Sequence, residues 1–175
     1  MALDLSLQTD SVPGSWGNLP VPPDPLHRSA SRTGAARRRV TAYVTREREG
    51  RRELLVFDHR DHPDAGTQVP AGRLDPGETL EQGLLRELHE EAGLDRIRIV
   101  AELAGPEEVD RHFPGSAYAN HVFHVEPEEE LPDEWEHVVI GDGDDAGLVF
   151  RYRWEPVRDD LMLWGQRDPL LELLR

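Results

Sequence analysis

Three glutamates stand where a helix would gather them: Glu87, Glu90 and Glu91, at i, i+3 and i+4. On a helix those positions share one face, so three carboxylates would crowd and repel. A cation is the natural complement. Oxygen donors without thiolate or imidazole suit hard divalent ions, Mg2+ or Mn2+. Arg86 stands beside the cluster, and Glu78 lies two turns back, within reach of an arginine on that side. Gly72 precedes the intervening loop, where a glycine lets the backbone approach a ligand closely and offers its carbonyl oxygen. The chemistry such a group could do is metal-assisted attack of water on an anionic centre. The bland alternative is a solvated face, because Glu-rich helices are common and a short acidic motif alone says little.

The elements that must hold these residues can be read from pattern. Thr79–Glu91 reads as a helix: Thr79 with Gln82 three later is a capping box, and Gly93 is a C-terminal stop. Leu80, Leu84, Leu88 and Ala92 recur every fourth residue on one face, joined by Leu85. Upstream, Val40, Ala42 and Val44 alternate with Arg39, Thr41 and Tyr43 as in a half-buried strand, REREGRR turns the chain, and Glu53–Phe57 is its hairpin partner. Downstream, Ile97, Ile99 and Ala101, then Ala117–Val125, then Leu148–Trp154 read as strands, and DPLLELLR as a short closing helix. EPEEELPDEWEH and GDGDDAG read as acidic loops. Strands outnumber helices, which implies an α/β (α+β) domain with a mixed sheet and helices on its faces. Residues 1–35 differ: the Pro/Gly/Ser-rich stretch has no apolar period and reads as an irregular arm, with Trp16, Leu19 and Val21 available to dock on the domain or on a second copy. The folded domain then spans 36–175.

Composition narrows the function classes. All 20 basic residues are arginine and cysteine is absent, which excludes Schiff-base, P-loop lysine, thiol and disulfide chemistry. A formal net charge of −15 disfavours long nucleic acid, whose affinity comes mainly from phosphate contacts. It does not disfavour a small phosphate ester, because bound cations reverse the local sign. No apolar run is long enough to span a membrane, and MALDLSLQTD lacks the pattern of a secretory leader, so a cytoplasmic location is expected.

The full spacing from Gly72 to Leu94 carries more than its acids do. Five residues separate Gly72 from Glu78, and seven more lead to Arg86–Glu87, an aliphatic Leu88, then Glu90–Glu91, Gly93 and Leu94. This resembles the Nudix box at every fixed position, and the upstream VPAG resembles the family's approach to the box, with Ala71 replacing its middle glycine. The resemblance implies an α/β/α sandwich around a mixed sheet. It implies that Glu87, Glu90 and Glu91, aided by the Gly72 carbonyl, bind Mg2+ or Mn2+, while Arg86 and Glu78 hold loop and helix together. The implied activity is hydrolysis of a diphosphate linkage in a small nucleoside-diphosphate derivative. The alternative is a catalytically inactive Nudix module that binds a ligand or partner.

Residue by residue, the general base is Glu90 or Glu91, with His137 and His121 as alternatives. Glu136, Asp144 or Asp145 could add a further acid from a loop. Arg39, His59, Arg60 and His62 are candidate substrate contacts, since arginines grip phosphate bidentately. The expected partners are a small nucleoside-diphosphate derivative and a second copy of the chain, with neither long nucleic acid nor membrane. The box says little about substrate: Pro106 lies too close for an ADP-ribose signature and Tyr118 too far for that of dinucleoside polyphosphate hydrolases.

Overall fold

The computed structural model describes residues 37–175. The expected arm, with Trp16, Leu19 and Val21, lies outside the described residues. Strand β1 (Arg37–Arg48) and β2 (Arg51–His59) form a hairpin. Its turn is Glu49–Gly50, both with positive φ (51° and 73°), the twist-matching two-residue connection. The strands therefore run further into REREGRR than alternation alone indicates. Arg46 opposite Glu53 and Glu47 opposite Arg52 extend the ladder through ion pairs where no apolar residue marks it.

Strand β3 (Ala71–Arg73) lies beside the first part of β1, which leaves β2 to pair with its last part. On the other edge of β1, β5 (Tyr118–Pro127) runs parallel to it, with β4 (Ile97–Ala104) outside. Beyond β2 come β7 (Val149–Pro156) and β6 (Glu134–Val138), giving the order β4-β5-β1-β2-β7-β6 in a mixed sheet. A small hairpin, β8 (Met162–Leu163) and β9 (Gln166–Arg167), follows.

Helix α1 (Leu80–Glu87) covers one face of the sheet. Its Leu84, with Leu88, Ala92 and Leu94 just beyond, packs on Val40, Ala42 and Val44 of β1 and on Phe150 and Tyr152 of β7. The opposite face of β1 and β2, with Tyr43, Leu54 and Val56, is covered by Val109 of α2 (Pro106–His112) and by Leu170, Leu171 and Leu174 of a 3-10 turn at Pro169–Leu174. The result is the α/β/α sandwich that the resemblance implies. Among the described residues no helix is long and apolar enough to cross a membrane.

Several expectations need correction. EPEEELPDEWEH is not all loop: Glu134–Val138 is edge strand β6, with Trp135 and His137 turned inward and Glu134 and Glu136 outward. Its acidic residues mask a two-residue period. Helix α2 has no counterpart among the expected elements, although Gly105 and Pro106 start it and Glu107, Glu108, Arg111 and His112 are distributed as a helix dipole favours. Leu85 is 39% exposed rather than part of the apolar face. The closing helix is a 3-10 turn whose N-cap is Asp168.

Candidate active site

The acid-bearing helix is fixed at its start by the anticipated capping box, Thr79 and Gln82 each bonding the other's backbone N–H. After Glu87 it widens into a π turn, Leu88–Ala92, a geometry frequent at functional sites. Gly93 then adopts the left-handed conformation (φ 70°), and Leu94 N–H donates to the Leu88 carbonyl. The last carbonyls, which a helix cannot satisfy itself, are met by β6, β7 and the segment between them. The Glu90 carbonyl accepts from the Ile140 N–H and lies 3.0 Å from His137 Nε2. The Glu91 carbonyl accepts from Tyr152 OH at 2.9 Å, and that of Ala92 from the Trp135 indole at 3.3 Å.

Arg86 is the hub of the loop–helix junction. Its Nε and Nη2 donate to the two oxygens of Glu78 at 2.8 and 2.9 Å, Nη2 also reaches the Arg73 carbonyl at 2.8 Å, and Nη1 donates to Glu87 and Glu90 at 2.9 and 3.1 Å. Glu78 also accepts from the Asp75 N–H, which closes the loop on itself. The hydrogen bonds from Arg86 hold the Glu78 carboxyl below its usual range. A guanidinium so surrounded by carboxylates is held more firmly charged than a free one.

Glu87 and Glu91 are buried. Burial pushes both carboxyls up, Glu91 strongly; Glu87 raises Glu91 further, and Glu90 adds to the rise of Glu87. Among the described residues Glu91 has a single hydrogen-bond donor, the Ala71 N–H at 3.0 Å. Gly72 makes the fit possible: a Cβ there would stand 1.8 Å from the Glu87 carboxyl carbon. At Gly141, which needs its positive φ of 103°, a Cβ would lie 2.9 Å from the Glu90 carboxyl carbon. Among the described residues no three acids are yet gathered closely enough to hold an ion. Arg86 accounts for this, since its Nη1 bridges Glu87 and Glu90, while Glu91 is turned to Ala71. The donor set nevertheless suits a hard cation: all carboxylate oxygen, two members buried, and a glycine-lined cradle against Glu87.

The three glutamates open on a cleft of about 830 Å3 that also has Arg39, His59, Asp144 and Asp145 in its walls. Arg39 is deeply placed. Burial lowers its pKa, while Glu91 and Glu87 partly restore it, and Nη2 donates to the Ala71 carbonyl at 3.1 Å. The chain matches the NUDIX domain family over residues 35–174. The chain belongs to the Nudix family. An RNA pyrophosphohydrolase of a Nitratiruptor species is 45% identical over 62 residues, covering 35% of this chain and 38% of that protein. The chain thus spans little more than a third of the length of the curated relatives it matches. An ADP-ribose pyrophosphatase from Streptococcus suis superposes with a TM-score of 0.52 at 17% identity, over 80% of this chain and 88% of that one. A Caenorhabditis elegans Ap4A hydrolase gives 0.51 at 18%, over 80% and 96%. At such identities these two likenesses show the Nudix fold alone.

Within the Nudix domain the remaining candidates divide. Arg60 does not line the cleft: it is exposed and pairs with Asp61 and Glu136. Glu136 is likewise outside, bonded to Arg151. His62 is exposed and stands apart from the cleft. His121 faces Glu102 and His137 faces the Glu90 backbone, so neither candidate base reaches the cleft. Asp144 lies 3.3 Å from Arg73 at the rim. The residues that sequence reading missed are Asp142 and Trp164, both in the cleft wall. Trp164 carried only a weak signal, the Trp164–Gly165 turn after the short apolar run Leu161–Leu163, because the returning strand Gln166–Arg167 is polar.

Proposed function

We propose that this Nudix domain is a metal-dependent hydrolase that cuts a diphosphate linkage in a small nucleoside-diphosphate derivative by attack of water on phosphorus. The observation that carries the reading is a pair of buried glutamates, Glu87 and Glu91, facing a wide cleft with fewer donors than their oxygens can accept. Such an arrangement is costly unless a cation completes it.

Glu87, Glu90, Glu91 and the Gly72 carbonyl are the groups that would hold Mg2+ or Mn2+. When bound, the ion neutralises diphosphate oxygens and eases ionisation of the attacking water. Arg39 grips a phosphate oxygen with its unengaged guanidinium edge. Arg86 and Glu78 keep loop and helix in register. Glu90 or Glu91 accepts the proton of the water.

The RNA pyrophosphohydrolases matched near a third of their length suggest a 5′-phosphorylated RNA end as another source of the diphosphate. The net charge of −15 weighs against a long polyanion and for a small ester. The intact acid set weighs against an inactive module. Turnover of ADP-ribose, nucleoside diphosphate sugars, dinucleoside polyphosphates and a triphosphorylated RNA oligomer, with Mg2+ and with chelator, tests the reading. Chelator-sensitive release of phosphate monoesters is expected from a small substrate. Undiminished turnover in chelator, or none on any substrate with Mg2+, overturns it.

A further inference from the structure

The cleft has two unlike halves, and strand β3 divides them. Successive side chains of a strand point to opposite faces of the sheet. Gly72 therefore faces helix α1 together with Val40, its partner in β1, and on that side meets Glu87. Ala71 and Arg73 face the other way, with their β1 partners Thr41 and Arg39. Asn120, the partner of Arg39 in β5, shares this second face, and so does Tyr118 two residues earlier. The Thr41 hydroxyl donates to the Asn120 side chain at 3.1 Å, in keeping with that grouping. The α1 side thus brings glutamates to the cleft, and the opposite side brings Arg39, Arg73 and Tyr118, all three in the cleft wall.

The halves meet at Ala71, whose N–H and carbonyl both turn away from β1. The N–H donates to Glu91 at 3.0 Å, and the carbonyl accepts from Arg39 at 3.1 Å. The two arginines nearest the acids are engaged very differently. Arg86 makes five side-chain hydrogen bonds, as many as a guanidinium has N–H groups. Among the described residues Arg39 makes one, to Ala71. Its guanidinium lies 5.9 Å from the centre of the Tyr118 ring. Arg73 is 42% exposed and has Asp144, at 3.3 Å, as its ion-pair partner. Arg86 belongs to the frame, whereas Arg39 and Arg73 keep donors for a ligand.

We propose that this second half is a subsite for a further phosphate, so that the substrate carries a linear chain of at least three phosphates across the edge of β3. The scissile diphosphate lies on the glutamate side, and the next phosphate is held by Arg39, Arg73 and the Tyr118 hydroxyl. Guanidinium groups only donate, and an ionised phosphate only accepts, so the two match without remainder. A sugar at the same place would also have to donate from its hydroxyls, and neither arginine can accept. Free nucleotides and RNA 5′ ends both carry such a phosphate chain, and turnover separates them.

This inference rests on the hydrolase reading for the diphosphate but is tested apart from it. The full chain with Mg2+ is titrated calorimetrically with inorganic pyrophosphate and inorganic triphosphate. Triphosphate is expected to bind about tenfold more tightly. Arg73→Gln should weaken triphosphate by about tenfold and Tyr118→Phe by about threefold, the sizes of a charged and a neutral hydrogen bond, with pyrophosphate changed by less than about twofold. Equal binding of the two anions by wild type overturns the subsite, as do variants that fold and bind both as wild type does, or that weaken both equally. If neither variant folds, the wild-type ratio decides alone. In turnover, kcat/KM for a nucleoside triphosphate, a dinucleoside tetraphosphate or a triphosphorylated RNA oligomer should exceed that for ADP-ribose and nucleoside diphosphate sugars. A lead confined to the RNA oligomer assigns the phosphate chain to an RNA end. Sugar diphosphates hydrolysed as well as all three overturn the subsite and leave the hydrolase standing. Triphosphate-selective binding that the variants lose, without turnover of any substrate, leaves the subsite standing and removes the hydrolase.

Discussion

Two buried carboxyls, Glu91 and Asp168, sit on opposite faces of the same sheet, and burial raises the pKa of both. Their surroundings differ. Asp168 accepts from the Tyr43 hydroxyl and from the Leu170 N–H at 2.9 Å, and among the described residues no like charge contributes to raising it. Glu91 accepts from one backbone N–H, faces Glu87 and opens on the cleft. Burial alone therefore does not mark a site. What marks it is a buried acid whose lone pairs and charge the protein compensates only in part, beside another of the same sign.

The largest expected effect falls on turnover. Glu91→Gln, Glu87→Gln and Glu90→Gln should each lower it by roughly two or more orders of magnitude, whereas Asp168→Asn should leave it within about twofold. Steady-state kinetics on a hydrolysed diphosphate checks this, and near-wild-type rates in all three Gln variants would remove the distinction. The same variants should be as stable as wild type without metal, or slightly more so, because like-charge repulsion is relieved.

Gly72→Ala comes next. Its Cβ cannot coexist with the present Glu87 carboxyl, 1.8 Å away, so Glu87 must move. Turnover is expected to fall by about tenfold or more with the circular dichroism spectrum kept. Unaltered kinetics would show that the contact between Gly72 and Glu87 is incidental.

On the Asp168 side, Tyr43→Phe leaves a buried carboxyl short of a donor and should cost about 1–3 kcal/mol in urea unfolding. A loss below measurement would mean that the pair is not what holds that face.

Metal and pH separate the two acids more finely. A carboxyl raised on folding binds its proton more tightly folded than unfolded. Its burial therefore costs nothing below the ordinary carboxylate range, and the cost grows as pH rises toward the raised value. A cation can offset that cost only where ionised oxygens face it. Stabilisation by Mg2+ should thus be small at pH 5 and grow toward pH 8 in wild type, through Glu91 and Glu87. Melting temperatures with and without Mg2+ at both pH values check it, and a pH-independent shift would argue against these acids as the ion's partners. The smallest effect is that of Asp168→Asn, which keeps the N-cap and should change stability by about 1 kcal/mol or less with no change in the Mg2+ response.

The parts legible in the sequence are those determined locally. The capping box, the Gly93 stop and the acid spacing lie within one helix, so Thr79, Gln82 and Glu87 announce themselves. The β1–β2 hairpin and the β7 strand follow from alternation. What stayed hidden depends on distant partners. Glu134–Val138 is a strand because β7 supplies its ladder, although its composition is that of a loop. Arg60 looked like a phosphate contact because its type is right, but Asp61 and Glu136 hold it elsewhere. Trp164 reaches the cleft only because Thr67 and Gly66 seat its hairpin.

The cross-strand capping of the helix end has a consequence for how the domain opens. The carbonyls of Glu90, Glu91 and Ala92 are tied to His137, Ile140, Tyr152 and Trp135, so the last turn cannot fray without β6 and β7 parting from it. Isotope exchange at the amides of Leu88–Ala92 should therefore proceed in step with that of β7 and not with that of the nearby Gly141–Gly147 loop. The acids ride on a cooperative unit, and the acidic loop can breathe beside them without blurring their positions.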